Sequence, residues 1–387
     1  MKSTVIKSFL AGTACVATLL CSCSDDTTNE FNPYEQQESV LRDAVVAYID
    51  HTVLPTYADM ADAAVELADL CNAIMEKSLE GTLTTADVVS AGEVWKQSRK
   101  SWELSEAFLF GPAANHNIDP HIDSWPLDKA AMDDLLADIR AHKNWNLINN
   151  GGYGLIGFHS LEYMLFELTV DENESQPHSL NYTEEELLYM VAVAEDLRDQ
   201  CVCLEACWAG TDGVSERKQQ ILADAELDYN ENYGWEMKHS GEPGSHFRTY
   251  QEAAEEIIQG CIDIADEVGN TKIGRPHYAA DDEDKNYIES PYSLNSIEDF
   301  ADNIRSIRNS YCGSRTGDTS ISTYVASVDA DLDTRVRTII DNTIRTIEAV
   351  PEPFTKTASG REAAEAMTAA GVTLADVLAE VYNLLGK

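Results

Sequence analysis

The residues whose types and spacing point to chemistry are His159 and Glu162, which lie three positions apart. On a helix, side chains at this spacing share one face, so an imidazole and a carboxylate come within reach of each other. Such a pair can share a metal ion, as the Glu-x-x-His pairs of di-iron bundles do. Alternatively, the carboxylate orients the imidazole for acid–base work, or the two groups form a structural hydrogen bond. The spacing leaves these three roles open.

The sequence around this pair distinguishes it from chance. A histidine followed three positions later by an acidic residue occurs at His116, His159 and His239, where composition alone predicts about 1.6 occurrences. Only the pair at His159 lies where a glycine-rich segment, 151–157, meets an apolar run, 161–166. Burial there would require both polar groups to find partners. We therefore take His159 and Glu162 as the candidate site.

Helical periodicity describes much of the remaining chain. Residues 187–208 repeat apolar side chains every three or four positions, and Thr183 and Glu186 form a capping box before them. Pro55 is expected to split a helix over 37–77. No run of alternating apolar and polar residues predicts a strand. Further helices are predicted over 86–110, 250–268, 332–350 and 374–385.

These helices predict an all-α fold of two helical bundles packed together, each resembling an up-down four-helix bundle. The stretch between them is rich in Gly, Asn and charged residues, which is typical of a linker. The predicted organisation is a lipoprotein signal peptide at 1–22, a tether at 23–36, an N-terminal bundle at 37–208, a crossover or linker at 209–245, and a C-terminal bundle at 246–387.

The N-terminus has the pattern of an export signal. Two lysines precede an apolar stretch over 9–20, which is too short to span a bilayer. The Leu-x-Ser-Cys ending at 20–23 resembles a bacterial lipobox. We therefore predict an exported protein that a lipid on Cys23 anchors to the outer membrane, facing the periplasm or the cell surface. The alternative is an ordinary cleaved secretory peptide without a lipid.

The charge of the chain restricts its partners. Its 387 residues include 27 Lys and Arg against 68 Asp and Glu, for a net charge of −41. Nucleic acid is excluded as a partner, because binding a polyanion depends on neutralising phosphates with basic side chains. An anionic membrane surface is excluded for the same reason, so membrane attachment is predicted through the lipid anchor only. The negative charge of the chain would attract cations present outside the cell.

Six cysteines follow Cys23, and no two of them form a C-x-x-C pair. This spacing is not that of a zinc cluster, so we predict buried thiols for most of them. Cys203 and Cys207 are one helical turn apart, where their side chains either meet or simply pack.

Four stretches together resemble one known family. Residues 157–162, Gly-Phe-His-Ser-Leu-Glu, match the G-x-H-x-x-E signature of the imelysin-like proteins, also called peptidase family M75. Residues 95–112 resemble the family's helix that bears Arg and Glu, and 122–126 resemble its Trp-Pro segment. Residues 289–304 resemble its second-half motif. The resemblance covers roughly residues 40 to 385.

The resemblance implies a two-bundle helical protein of the cell envelope with the His/Glu pair near the domain junction. Relatives are tied to iron-regulated uptake systems, and the founding members were described as insulin-cleaving proteases. A catalytic zinc normally has three protein ligands and a water, so His159 and Glu162 would need a third ligand, for which Glu106, Glu289 and Asp299 are the candidates. The predicted metal ligands are His159, Glu162, Glu106 and Asp299, with Arg99, Gly157, Glu289 and Ser293 in support.

Three functions remain as hypotheses. The first is a lipoprotein that binds iron or an iron-bearing ligand for uptake, together with a transport-system partner protein. Iron is preferred over zinc by resemblance, because mixed N and O ligands suit several first-row metals. The second is a metallopeptidase with His159 and Glu162 as catalytic residues, although the H-E-x-x-H motif is missing. The third is a non-catalytic interaction module in which the pair is a structural hydrogen bond.

Overall fold

The computed structural model describes residues 33–142, 152–353 and 358–386, and within these ranges it is mostly helical. The predicted signal peptide, Cys23 and most of the predicted tether lie outside the described residues. In the first part of the chain the α-helices are α1 Pro33–Tyr48, α2 Leu54–Glu80, α3 Thr85–Glu103, α4 Pro112–Asn115, α5 Ile118–Ile122, α6 Lys129–His142, α7 Gly157–Leu165 and α8 Glu184–Ala209. They continue as α9 Glu216–Ala225, α10 Tyr233–Lys238, α11 Tyr250–Glu267, α12 Gly274–His277, α13 Asp282–Lys285, α14 Ser296–Cys312, α15 Ile321–Val328, α16 Ala330–Glu348 and α17 Ala358–Leu385.

The helices pack in two groups that meet along α3. In the first group, α2 lies between α3 and α8, and α7 packs on α3 and α8. In the second group, α11, α14, α16 and α17 pack on one another, and α1 lies against α11 and α15. Contacts of α3 with α14 join the two groups. The all-α fold is thus confirmed, whereas the predicted domain boundaries stay a prediction.

Apolar periodicity explains why these segments are helical. On α16, the side chains of Leu332, Val336, Ile340 and Ile347 are buried at helical spacing, and burying each stabilises the fold by about 1.5–3 kcal/mol. The capping box before α8 is confirmed: the Thr183 N–H donates to Glu186 Oε2 at 2.7 Å, and the Glu186 N–H donates to Thr183 Oγ1 at 3.4 Å. Such a cap is worth about 1 kcal/mol.

The predicted break at Pro55 is also present. A π-helical segment, Ile49–Val53, joins α1 to α2, and Pro55 lies in the first turn of α2. A proline is tolerated there because the first N–H groups of a helix have no intrahelical partner.

The helix predicted over 86–110 ends earlier, at Glu103. Ser105 closes the last turn, because its N–H and its hydroxyl both donate to the Trp102 carbonyl at 2.7 Å. The Ala107 N–H then donates to Ser306 Oγ at 3.0 Å instead of to an intrahelical carbonyl. Glu106 therefore lies in a short 3₁₀ segment, Glu106–Phe108, that contacts α11 and α14. The local Ser105 hydrogen bonds thus close this helix, and the tertiary hydrogen bond of Ala107 holds the segment that follows it.

Among the described residues there is one hairpin, which the sequence did not predict. Strands β1 Phe166–Leu168 and β2 Ser175–Pro177 pair antiparallel, with Phe166 opposite Pro177. Strands of three residues are too short to show the alternation that identifies a strand.

The six cysteines after Cys23 all have free thiols, and five of them are buried, in agreement with the prediction of buried thiols for most of them. Among the described residues, no helix combines the length and the apolar character needed to cross a membrane.

Candidate metal centre

Helix α7 positions His159 at the junction between the two helix groups. The helix begins at Gly157, whose φ of 76° lies in the left-handed region. Gly157 packs on the end of α5, where an added Cβ would lie 2.2 Å from the Ile122 carbonyl oxygen. This close approach brings His159, which is 2% exposed, next to Asp123. Gly157 thus sets the distance between the two side chains.

Glu162 orients the His159 ring. Glu162 Oε2 lies 3.3 Å from His159 Nδ1. Its other oxygen, Oε1, accepts the Tyr292 N–H at 2.9 Å, the Ser293 N–H at 2.7 Å and the Ser293 hydroxyl at 2.8 Å. A carboxylate held this way fixes the imidazole with Nδ1 toward the carboxylate and Nε2 free to ligate, the arrangement of carboxylate–histidine–metal triads.

The second nitrogen of His159 points at Asp123. His159 Nε2 lies 3.0 Å from Asp123 Oδ1, but the two atoms lack hydrogen-bond alignment, so Nε2 has no hydrogen-bond partner among the described residues. Burial opposes protonation of the ring, yet the carboxylates of Asp123 and Glu162 outweigh it and raise the pKa of His159 to about 9. A metal ion on Nε2 would replace that proton.

Arg99 lies on α3 and has the bulkiest cationic side chain of the site, and this side chain is fully buried. Its guanidinium contacts four carboxylates, which come from both helix groups. Nη2 lies 2.5 Å from Glu103 Oε1 and 2.5 Å from Glu289 Oε1, Nε lies 3.4 Å from Asp299 Oδ2, and Nη1 pairs with Asp123 Oδ1. Arg99, which the sequence analysis named as a supporting residue, thus links carboxylates from both helix groups.

Lys272 is a second buried cation that sequence reasoning missed. It ends the π-helical segment Val268–Lys272, and its Nζ lies 3.1 Å from Glu289 Oε1, 3.2 Å from Glu106 Oε1 and 3.6 Å from Glu103 Oε2. A lysine is almost never fully buried without such partners. Its sequence neighbours carry no motif, so no local signal could have identified it.

The buried cluster carries more negative than positive charge. Six carboxylates surround the three cations Arg99, Lys272 and protonated His159, so the fully ionised cluster would carry an excess of three negative charges; the carboxylates are those of Glu103, Glu106, Asp123, Glu162, Glu289 and Asp299. Burial raises the pKa of both Glu103 and Glu106 well above the usual range, and that of Asp299 to about 7. Burial also opposes the charge of Asp123, but Arg99 and His159 lower the pKa of that carboxyl below its usual range. A further cation would stabilise the ionised form of this cluster.

Three donors converge on one point of the cluster. Asp123, His159 and Glu289 each place one ligating atom within 4.8 Å of the others, and all three residues are buried. Glu289 Oε2, like His159 Nε2, has no hydrogen-bond partner among the described residues. One imidazole and two carboxylates suit zinc and first-row metals such as iron. These three residues therefore form the candidate metal centre.

The predicted residues occupy different places around this centre. His159 belongs to it, and so does Glu289, which was predicted in support and as a third-ligand candidate. Glu162 and Ser293 hold the imidazole. Glu106 lies beside the centre, in a second group of converging donors with Glu103 and Asp123. Asp299 is outside both groups and accepts from Ser290 Oγ at 2.5 Å and Asn295 Nδ2 at 2.6 Å.

Asp123 was not predicted as a site residue. It lies in the 122–126 stretch that carries the family resemblance, so a signal was present in the sequence. Its second oxygen, Oδ2, accepts the Trp102 indole N–H at 2.8 Å, which holds the carboxylate in place.

Two cavities approach the cluster from different sides. A cavity of about 410 Å³ is bordered by His159, Glu162 and mainly apolar side chains that include Ile288. A smaller one of about 210 Å³ is bordered by the acidic residues Glu106, Asp119, Asp123 and Glu267. The Trp125 side chain borders both cavities. A small ion or ligand can thus reach the cluster without unfolding either helix group.

Replacing Gly157 with alanine is expected to destabilise the protein. The positive φ costs about 1–2 kcal/mol for any other residue, and the contact with the Ile122 carbonyl adds about 1–3 kcal/mol. Urea denaturation measures the change. Gly154→Ala is the matched control, because Gly154 lies in the same segment and its added Cβ would meet only an ordinary contact at 3.5 Å. Equal effects of the two substitutions would show that the close approach at Gly157 is unimportant.

Comparisons with known proteins agree with this architecture. A family model described as Imelysin, of peptidase family M75, matches residues 53–381. The iron-regulated protein A of Synechococcus elongatus is 25% identical over 305 residues, which cover 79% of this chain and 71% of that protein.

Two solved structures are similar as well. The crystal structure of an iron-regulated protein A precursor from Parabacteroides distasonis is 27% identical, with a TM-score of 0.76, over 89% of this chain and 95% of that one. An imelysin-like protein from Psychrobacter arcticum is 13% identical, with a TM-score of 0.57, over 92% of this chain and 94% of that one. The latter similarity concerns the fold alone.

Proposed function

Since this chain belongs to the imelysin family, we propose that it is an exported, lipid-anchored protein of the cell envelope that binds a metal ion in an uptake role. Iron or an iron-bearing ligand is the preferred cargo, because two similar proteins are named iron-regulated protein A. The name of one of them as a precursor supports export, and so does the signal pattern before Cys23. A transport-system protein would receive the cargo.

One observation carries the metal-binding proposal. In a buried cluster whose ionised form has excess negative charge, His159 Nε2 and Glu289 Oε2 have no hydrogen-bond partner among the described residues, although His159 Nε2 lies 3.0 Å from Asp123 Oδ1. His159, Glu289 and Asp123 each place one ligating atom within 4.8 Å of the others. Buried polar atoms normally have a partner, and leaving one unpaired costs about 1–3 kcal/mol. A bound cation would satisfy both atoms and offset the excess charge.

The same geometry favours binding over peptide hydrolysis. A zinc peptidase needs a general base beside the metal-bound water. Glu162, the sequence candidate for that role, is fully buried, and its Oε1 already accepts three hydrogen bonds. A carboxylate so engaged orients His159 and is poorly placed to take a proton from water.

The test is isothermal titration of the wild type and His159→Ala with Fe(II), Fe(III), Zn(II) and haem. We expect the wild type to bind at least one of them and His159→Ala to lose at least about 100-fold in affinity, because even outer ligand-orienting residues contribute 10–100-fold. His239→Ala is the matched control, because His239 has the same spacing to an acidic residue while its Nδ1 bonds to the Trp235 carbonyl at 2.8 Å.

Two outcomes would contradict the proposal. If no ligand binds the wild type, or if His159→Ala binds as well as the wild type, the centre is not a metal site. A lower melting temperature of His159→Ala with unchanged affinity would identify the His/Glu pair as a structural hydrogen bond.

A further inference from the structure

A third group of donors shares no residue with the candidate metal centre or with the group of Glu103, Glu106 and Asp123. His116 follows α4, Cys207 lies near the end of α8, and Glu231 lies in the loop before α10. One ligating atom of each residue lies within 4.8 Å of the other two. Cys203, one helical turn before Cys207, is buried and adjoins the same group.

Two hydrogen bonds between the loop and α8, and the stacking of the Tyr229 ring, hold these residues in place. The loop is attached to α8, because Asn232 Nδ2 donates to the Ala209 carbonyl at 3.1 Å and Cys203 Sγ donates to the Leu227 carbonyl at 3.3 Å. The Tyr229 ring stacks on the His116 ring, with centroids 3.7 Å apart and an interplanar angle of 10°. The imidazole orientation is therefore fixed by packing.

Two polar atoms of the group are buried without a partner. His116 Nε2 and Glu231 Oε2 have no hydrogen bond to any described residue, although His116 Nε2 lies 3.1 Å from Glu231 Oε1. His116 and Glu231 each place one ligating atom within 4.8 Å of the Cys207 sulfur. The side chains are 19% exposed for His116 and 35% for Glu231, so an ion can reach the group from solvent.

We propose that His116, Cys207 and Glu231 bind a zinc-like divalent transition metal. Thiolate and imidazole donors select borderline-soft metals, whereas calcium and magnesium prefer oxygen ligands alone. The Cys207 thiol loses its proton to solvent as its sulfur binds the metal. The ion satisfies His116 Nε2 and Glu231 Oε2 and ties the loop before α10 to α8. The site goes beyond the proposed uptake function, because no donor is shared with the Asp123, His159 and Glu289 centre.

Cobalt(II) is the probe, because cobalt–thiolate bonds produce a charge-transfer band that nitrogen and oxygen ligands do not. The candidate metal centre has no sulfur donor, so the band reports on the second site alone. The protein is the full chain, reduced, with Cys15→Ser, Cys21→Ser and Cys23→Ser to remove the N-terminal thiols. We expect a band that zinc abolishes by displacing cobalt.

Variants in this background identify the ligands. We expect Cys207→Ser to abolish the band and His116→Ala to weaken cobalt binding at least about tenfold. Cys201→Ser is the matched control and should keep the band, because Cys201 is buried on the same helix and belongs to no donor group. Absence of the band in the parent chain, or its persistence in Cys207→Ser, would overturn the proposal.

A second measurement covers the case in which Cys207→Ser does not fold. Zinc is expected to protect Cys207 of the parent chain from alkylation, as mapped by peptide mass spectrometry. Half-buried Cys312 is the internal control, and its alkylation should not change. Equal alkylation of Cys207 with and without zinc would overturn the proposal.

Discussion

Replacing Arg99 with methionine is expected to lower the free energy of unfolding by about 3–5 kcal/mol, the range found when one partner of a buried ion pair is removed. Arg99 is fully buried and contacts Glu103, Asp123, Glu289 and Asp299. Methionine keeps most of the apolar stem, so the loss reports on the charge. The carboxylates would then repel one another in a site with little solvent, and chemical denaturation measures the loss.

The neighbouring cation is the matched control for Arg99. Lys100 follows it on α3, but its side chain is 52% exposed and its Nζ contacts Glu298 Oε1 at 3.2 Å. An exposed pair of this kind contributes about 1 kcal/mol at most, so Lys100→Met should be nearly neutral. Similar losses for the two variants would mean that Arg99 is not the central cation of the buried cluster.

Replacing Glu289 with glutamine is expected to reduce metal affinity at least about tenfold more than replacing Asp299 with asparagine. Both carboxylates are buried, both contact Arg99, and both come from the stretch 289–304 that carries the family resemblance. Only Glu289 belongs to the converging donors with Asp123 and His159. Titration of both variants with the metal that binds the wild type measures the difference.

The Asp299→Asn variant is a stringent comparison. Like Glu289→Gln, it keeps the size and burial of the side chain while it removes one charge near Arg99. Both variants should therefore lose similar amounts of stability, which a melting curve checks. If Asp299→Asn weakens the metal as much as Glu289→Gln, the cluster binds cations through its summed charge and not through three defined ligands.

The sequence alone predicted those structural features whose signal lies within a few helical turns. Apolar periodicity predicted α8, α11 and α16, and the capping box at Thr183 predicted where α8 begins, because both patterns depend on residues within a few turns of each other. The spacing of His159 and Glu162 likewise placed them side by side on one helix. The family resemblance added stretches that contain Arg99, Asp123 and Glu289.

Only the tertiary structure decided which of those residues come together. Asp123, His159 and Glu289 converge because the ends of α5 and α7 and the loop before α14 meet at the junction of the helix groups, and no sequence spacing encodes that meeting. The same packing directs Glu162 toward Ser293 and away from the ligand group, and it buries Lys272 beside Glu106. Local periodicity determines the helices, because it depends on residues within a few turns of one another. Contacts between distant segments determine which carboxylates pair with the same buried cation, and therefore which polar atoms remain available for a metal.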